Sequence, residues 1–520
     1  MLVHRFLEES ARLAPESVAL IEPSRTTTYA ELDALANRFA HLYLSAGVGR
    51  GDRVVVALEN GREFVAAYFG AHKAGAVAVP LPTGPRNDRL ARAIEDCSPA
   101  AAVVDAATDN AAGSGHPLRA VKNRFVLGRR QPAGDSRSVS LEALLDRQDQ
   151  DSPAVRVIDL DLAAIIYTSG STGEPRGVML THRNLVANAR SIVSYLKLTR
   201  DDRVMCVLPF YYVYGLSLLH THIAVGGTVV IDNRFAFPNV VLDAMREHRV
   251  TGFAGVPSSF ALLLHRSTVG PTSCPDLRYV TQAGGAMAPA RIREWLDRGW
   301  NAPFFVMYGA TEAGARLTYL DPSELPRKLG SIGRPIPNVE LVVVSENGSN
   351  AAPGEVGELV ARGSNISCGY WNQPEETREK FTALGYRTGD LGYMDDEGYL
   401  FLIGRRQDMI KVGAHRVGAR EIEDVIQEHP QVREVAVVSA PHDILGEVPV
   451  AFVAASEPPP LSAEAIRGFC AGRLPNYKVP ARVVFLRELP KITAVGKIDK
   501  RALREQLASA VASPSLSVLE

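Results

Sequence analysis

Between residues 53 and 104 the chain alternates short apolar runs with longer segments of helical spacing. Residues 53–58, 75–80 and 101–104 are rich in Val and Ala and read as strands, while 63–74 and 88–96 read as helices. Strands apolar on both faces and joined through helices must be parallel and covered on each side. This rhythm therefore confines the chain to an α/β fold. It is preceded by residues 29–44, where Leu32, Leu35, Ala36, Phe39 and Leu42 fall at helical spacing. It resumes at 163–167 (strand) and 183–196 (helix). Residues 109–155 are polar and Gly/Ser/Arg-containing, and are expected to be a variable surface connection.

The 520 residues exceed what one hydrophobic core sustains. A boundary is expected near Gly404, with Arg405, Arg406, Gln407 and Asp408 as the joint. Beyond it, helices at 419–428 and 463–474 alternate with strands at 432–439, 448–455 and 482–486, enough for a small α+β domain. The expected division is a large N-terminal domain over 1–403, a C-terminal domain over 404–508, and a disordered tail over 509–520, which is small, polar and contains Pro and Ser.

Composition excludes several classes. Apolar (46%) and charged (22%) shares are those of a globular protein, and a net charge of −1 gives no pull toward nucleic acid or anionic membrane. The five cysteines are scattered, with no CxxC pair, which argues against a disulfide framework or structural zinc and fits a reducing cytosol. Residues 1–20 carry acidic groups and no continuous apolar run, unlike a signal peptide, and no segment is apolar for long enough to span a bilayer. The expectation is a soluble cytoplasmic protein.

After the strand at 163–167 comes Tyr167-Thr168-Ser169-Gly170-Ser171-Thr172-Gly173-Glu174-Pro175-Arg176-Gly177, expected to lead into a helix. Three glycines let backbone N–H groups turn inward, and the hydroxyls of Thr168, Ser169, Ser171 and Thr172 add donors, as a polyphosphate requires. An ordinary Ser/Gly turn is the plainer reading, but the hydroxyl density and the trailing Arg176 favour phosphate. The loop is not a Walker A motif, which removes the phosphate grip of P-loop kinases and GTPases.

This loop resembles the signature of the adenylate-forming superfamily, which includes acyl- and aryl-CoA synthetases, stand-alone adenylation enzymes and luciferases. Other motifs follow in the family's order across essentially the whole chain. Gly284-Gly285-Ala286 resembles the turn flanking adenine, Tyr308-Gly309-Ala310-Thr311-Glu312 the Tyr-Gly-x-Thr-Glu motif, and Thr388-Gly389-Asp390 the ribose-binding motif. Gly404-Arg405 and the segment from Asp408 to Glu423 resemble the hinge and first motif of a mobile C-terminal domain, and Gly496-Lys497 the catalytic lysine loop. The resemblance implies a domain of sheets flanked by helices, capped by a small mobile α+β domain. It implies ATP bound by Thr168–Gly173, Arg176, the Gly284 turn, Tyr308, Gly309, Thr311, Asp390 and Arg405. Thr311, Glu312 and Lys497 are the implied catalytic residues. Glu312, a carboxylate suited to a hard cation, is the implied Mg²⁺ ligand. Two departures stand out: Arg176 replaces the usual Lys, keeping the charge but changing its geometry, and Gln407 replaces an Asp or Lys at the hinge.

Leu208-Pro209-Phe210-Tyr211-Tyr212-Val213-Tyr214-Gly215 resembles the segment lining the acyl pocket. The family's amino-acid-activating members carry an Asp near Tyr211; its absence disfavours a standard α-amino acid. The aromatic run suggests a small or aromatic acid, with Tyr211, Tyr212, Val256, Met307, Ala315 and Arg316 as lining. Arg316 is the one charge there, expected to stack inside the protein or face solvent, with a second carboxylate or a phenolate of the substrate as the alternative. The segment from Lys411 to Gly418, with Gly413 at its turn, resembles the loop that meets the pantetheine arm of the acceptor. The implied reaction is ATP-dependent formation of an acyl-adenylate and transfer to CoA. The alternatives are a separate carrier protein, since the chain holds no carrier domain, or a non-thiol nucleophile.

Overall fold

The computed structural model describes residues 1–84, 88–128, 140–169, 175–270, 272–300, 302–455, 461–492 and 497–512. Among these, the parallel sheet expected from the alternating pattern is present: Arg53–Ala57 pairs in parallel with Val77–Pro80 and with Ala101–Asp105. Leu162–Ser169 continues it beside Val77–Pro80. Asn123–Leu127 adds a parallel edge strand next to Ala101–Asp105, so the stretch expected to be a surface connection contributes to the sheet. The reason is tertiary. A short, half-polar run with little pattern of its own gains its order from the paired edge.

The segment after residues 170–174 is also corrected. It is the strand Pro175–Thr181, antiparallel to Leu162–Ser169, and only then the helix His182–Leu196. The described segment that follows the strand Leu162–Ser169 is therefore a second paired strand rather than the expected helix. Gly177-Val178-Met179-Leu180 extends the ladder because Val178 and Leu180 are wholly buried.

A larger sheet runs alongside. Its middle is parallel: Val18–Glu22, Thr228–Ile231, Arg203–Cys206, Gly252–Gly255, Tyr279–Gln282 and Phe304–Tyr308 lie side by side. It continues antiparallel through Thr318–Leu320, Ser331–Pro335, Leu400–Arg405, Gly385–Met394, Gly357–Gly363 and Val339–Val344. Between the two sheets lie helices including Tyr29–Ser45, Arg62–Lys73 and Val213–Val225, whose Phe39, Tyr43, Phe69 and Leu219 share one buried cluster with Val54, Val56, Leu20 and Val204. Thr28 and Glu31 form a capping box that starts the first of these helices.

Leu400–Arg405, which contains the expected boundary at Gly404, is a strand of the large sheet, and the turn Arg406–Asp408 follows it. The C-terminal domain has its own sheet, in which Val432–His442, Gly446–Ala455 and Arg482–Phe485 are adjacent. Helices Ala419–Gln427 and Ala463–Ala471 pack on one face, and Lys500–Ala512 on the other through Leu503 and Leu507. That last helix continues to Ala512, past the expected start of a tail at 509. Alanine, frequent at its end, is the strongest helix former, and Leu503 and Leu507 anchor the preceding turns. No helix among the described residues is long and apolar enough to cross a membrane.

Candidate active site

In parallel α/β sheets, side chains at the carboxyl ends of strands face an open crevice. Three neighbouring parallel strands end where the sequence motifs fall: Gly252–Gly255 leads to Val256, Tyr279–Gln282 to Gly284, Gly285 and Ala286, and Phe304–Tyr308 to Gly309 and Thr311. The Gln282 amide donates to the Gly285 carbonyl at 2.8 Å and tightens the turn. A methyl group on Gly284 would lie 2.9 Å from a Val256 methyl, so these two strand ends are packed together.

Tyr308, Asp390 and Arg405 come together from separate strands. The Tyr308 hydroxyl donates to Asp390 Oδ2 at 2.5 Å, and Arg405 Nε lies 3.1 Å from Asp390 Oδ1. Asp390 and Arg405 are register partners on adjacent strands, which fixes the ion pair through the backbone. Burial, with Asp390 beside it, holds the Tyr308 phenol well above its ordinary range, and Asp390 raises the Arg405 guanidinium. The Asp390 carboxylate is thus held from both sides.

The turn after Tyr308 is held with equal care. Thr311–Ala313 is a 3-10 turn, followed by Gly314 and by Ala315 at φ 137°, a region costly for a residue with a side chain. Two buried amides stitch it down: Asn188 Nδ2 and Asn365 Nδ2 each donate to the carbonyls of Ala313 and Arg316, at 2.9–3.2 Å. Gly309 allows the fold-back, because a Cβ there would meet the Ala315 carbonyl oxygen at 1.8 Å. Glu312 projects from this turn and accepts from the Tyr370 hydroxyl at 2.8 Å. Burial first, and Glu312 second, push the Tyr370 phenol upward.

Arg176 sits opposite Thr168 on the hairpin, paired with Glu376 at 2.5 Å and beside the Tyr370 ring. The phosphate-loop residues Gly170, Ser171, Thr172 and Gly173 lie outside the described residues, as do the side chains of Ser169 and Lys497. Lys497 is placed by its backbone alone, in the two-stranded ribbon opposite Ile492.

The predicted acyl residues divide. Met307, Ala315, Arg316 and Val256 are buried. Tyr214 connects them: its ring lies under the Arg316 guanidinium at 4.2 Å, its edge reaches toward Gly284, and its hydroxyl bonds to Thr281. The Arg316 guanidinium is stacked on that ring inside the protein. Tyr211 and Tyr212 are half-buried with their rings 4.6 Å apart, and Arg89 reaches the Tyr212 hydroxyl at 3.4 Å. Phe210 is a core residue packed on Phe64. Gln407 is exposed in the joint, and Gly413 turns the hairpin between Met409–Val412 and His415–Gly418 at φ 57°.

Four positions escape the sequence reading: Tyr370, Glu376, Asn188 and Asn365. Tyr370-Trp371-Asn372-Gln373-Pro374 is a signal of sorts, an aromatic pair before a Pro-started helix, but nothing local ties it to Glu312.

A model of AMP-binding enzymes matches residues 7–371, and one of the AMP-binding enzyme C-terminal domain matches residues 421–497. The chain is 33% identical to an indoleacetate–CoA ligase of Aromatoleum aromaticum, over 98% of each chain. It is 31% identical to a 2-succinylbenzoate–CoA ligase of Bacillus subtilis, over 97% of each. Among solved structures, ATP-bound MatB from Rhodopseudomonas palustris superimposes with a TM-score of 0.87 at 29% identity, covering 97% of this chain and 99% of that one. The chain belongs to the AMP-binding enzyme family, the adenylate-forming superfamily, and is an AMP-forming acid–thiol ligase.

Proposed function

We propose that the protein converts a small or aromatic carboxylic acid and ATP to an acyl-adenylate and pyrophosphate, then transfers the acyl group to the thiol of CoA. The observation that carries this reading is the clamp of Tyr308 and Arg405 on Asp390, one strand end away from the braced Thr311–Glu312 turn. A carboxylate held rigidly can accept both hydroxyls of a ribose, while Thr311 offers a donor to the α-phosphate. Tyr308 and the turn at Gly284–Ala286 flank the adenine, and Thr168–Gly173 with Arg176 receive the phosphates.

Glu312 fits a divalent cation travelling with ATP. Only its Oε1 is engaged by Tyr370, and among the described residues no three His, Cys, Asp or Glu form a cage of their own. Mg²⁺ needs one or two carboxylates plus phosphate oxygens, and when bound it supplies neutralisation of phosphate charge. Lys497 would add a mobile positive charge between the attacking carboxylate and the α-phosphate.

The acid would lie among Val256, Met307, Ala315 and Arg316, with Tyr211 and Tyr212 between it and the thiol. The C-terminal domain would turn about Gln407 to bring Gly413 to the pantetheine arm. The reaction uses water-soluble components throughout, in keeping with a cytoplasmic location.

The test is acid-dependent pyrophosphate release with ATP and Mg²⁺ across a panel of aryl and short acyl acids, followed by addition of CoA or of carrier proteins bearing phosphopantetheine. Thioester formed with CoA supports the proposal. Thioester formed only on a carrier protein would replace CoA as acceptor, and pyrophosphate release with no acid dependence would overturn the reading.

A further inference from the structure

We propose that Arg316 is the specificity residue for an acid bearing a second carboxylate, so that the enzyme activates one end of a dicarboxylic acid while Arg316 holds the other. This deepens the acid-activating reading and rests on it.

Arg316 is 3% exposed. Among the described residues two other Lys or Arg are buried, Lys73 to the same degree and Lys328 slightly less, and each is neutralised by two carboxylates: Lys73 by Glu8 and Asp33, and Lys328 by Asp395 and Glu397. Arg316 has no ion pair with any described Asp or Glu. Its contacts are weak substitutes: Nε reaches the Met307 thioether at 3.2 Å, Nη1 reaches the neighbouring Ala315 carbonyl at a long 3.4 Å, and the face of the guanidinium covers the Tyr214 ring. The Tyr195 hydroxyl, also on Met307, lies against it. A guanidinium has five N–H donors in a planar fork matched to a carboxylate, and leaving it buried without an anion is unfavourable. The fold nevertheless enforces this position. Ala315 is held in a strained conformation immediately before it, and Asn188 and Asn365 fix the carbonyl of Arg316 itself.

The location gives the missing anion its origin. Tyr214 spans from Arg316 to the Gly284 turn, and Arg316 touches Met307, which precedes Tyr308, so the cation borders the residues expected to line the acyl pocket. A substrate entering this pocket brings the counter-charge that the protein omits. The stacked Tyr214 keeps the fork oriented for a bidentate pair.

The test measures ATP–pyrophosphate exchange by the full-length enzyme with matched acids that differ only at the far end: glutarate against pentanoate, and 4-carboxyphenylacetate against 4-methylphenylacetate and 4-hydroxyphenylacetate. We expect kcat/KM at least about 30-fold higher for a carboxylate-ended member than for its methyl partner, the span seen when one partner of a buried charge pair is removed. In Arg316→Gln and Arg316→Met that ratio should collapse to about one, mainly through KM, with Arg316→Lys intermediate because it keeps the charge and loses the fork. Preference of the wild type for the methyl or hydroxyl members would overturn the inference while leaving acid activation intact. So would an equal loss on both members in all three variants at unchanged melting temperature, which would make Arg316 a prop for Tyr214. Exchange with no acid at all would remove the acid-activating reading, and this inference with it.

Discussion

The Tyr308 hydroxyl donates to Asp390 Oδ2 at 2.5 Å, across two strands that are 82 positions apart in the chain. Arg405 takes the other carboxylate oxygen, so Asp390 is held from both sides at the place proposed for the ribose. Tyr308→Phe keeps the ring and removes one hydrogen bond to a charged acceptor, a loss of about 1.5–3 kcal/mol at most. The expected result is a KM for ATP raised about 10- to 100-fold, with the KM for the acid nearly unchanged. Steady-state kinetics with each substrate varied in turn decide it. A change confined to the acid would place this trio elsewhere.

Asn188 and Asn365 brace the turn that carries Thr311 and Glu312. Each amide holds the Ala313 and Arg316 carbonyls, so Asn365→Ala leaves two buried acceptors with half their donors. The turn carrying Thr311 and Glu312 then loosens. A destabilisation of about 1–3 kcal/mol is expected, together with a fall in kcat larger than any change in the melting curve explains. Asn365→Asp, which lacks the donor, should behave the same way; full activity in both variants at assay temperature would show that Asn188 suffices.

Ala315 stores strain that can be released. At φ 137° a glycine is at ease where an alanine is not. Ala315→Gly should raise stability in urea by about 0.5–1 kcal/mol, while widening the acyl lining beside Arg316. Lower stability in the variant would mean that the buried Ala315 methyl packs more strongly than its backbone is strained.

Acid should unfold the protein through buried histidines. His182 sits edge-on to His4 and to His72, and its Nδ1 accepts from the Val3 N–H at 3.1 Å, which requires a neutral nitrogen there. Burial lowers His4 to about 4 and His182 and His220 to about 3, and it depresses His72 as well. Their folded values lie below the unfolded one near 6.5, so the unfolded chain takes up protons first. Their contribution is complete above about pH 6.5 and is lost as pH falls toward 4 or 3, at up to about 1.4 kcal/mol per pH unit for each group. Urea midpoints measured from pH 7.5 to 5 should fall steadily below 6.5. A flat profile would mean that these imidazoles are hydrated or open.

The difference between what is legible in the sequence and what is not follows from locality. Val54–Val56 and Val103–Val104 announce buried parallel strands because both faces are apolar, and the strand at Phe304–Tyr308 delivers its motif at the carboxyl end. The motifs place Asp390, Arg405 and Tyr308 in one site, and the strand register supplies the geometry. Asn123–Leu127 is hidden because Asn123, Arg124 and Phe125 are only half-buried, and its order comes from the edge it joins. Tyr370 and Asn365 are hidden for a different reason: each serves an atom 50 to 60 positions away, Glu312 Oε1 and the Ala313 carbonyl, with no spacing rule connecting them. Arg316 is visible as a charge near the pocket, but its lack of a partner is a property of three dimensions alone.

Lys497 and Gly413 belong to the same small domain and should serve different half-reactions. While the carboxylate attacks the α-phosphate, negative charge accumulates where Lys497 would bind it; removing such a donor typically costs about 10² to 10³ in rate. Once the adenylate exists, that duty ends. Gly413 turns its hairpin in the left-handed region at φ 57°, with its N–H bonded to the Leu445 carbonyl at 2.8 Å. A large side chain there would keep the pantetheine arm from the backbone, whereas Asn tolerates the same conformation and serves as a control for strain. A turn of the domain about Arg406–Asp408 would bring each loop to the site in its own step. Lys497→Ala should therefore lose acid-dependent pyrophosphate exchange yet convert chemically prepared acyl-adenylate to thioester. Gly413→Leu should retain exchange and lose thioester formation, with Gly413→Asn close to wild type in both. Quenched reactions started from the acid and from synthetic adenylate separate the two steps. Equal loss of both steps in folded Lys497→Ala and Gly413→Leu would contradict the two-orientation account.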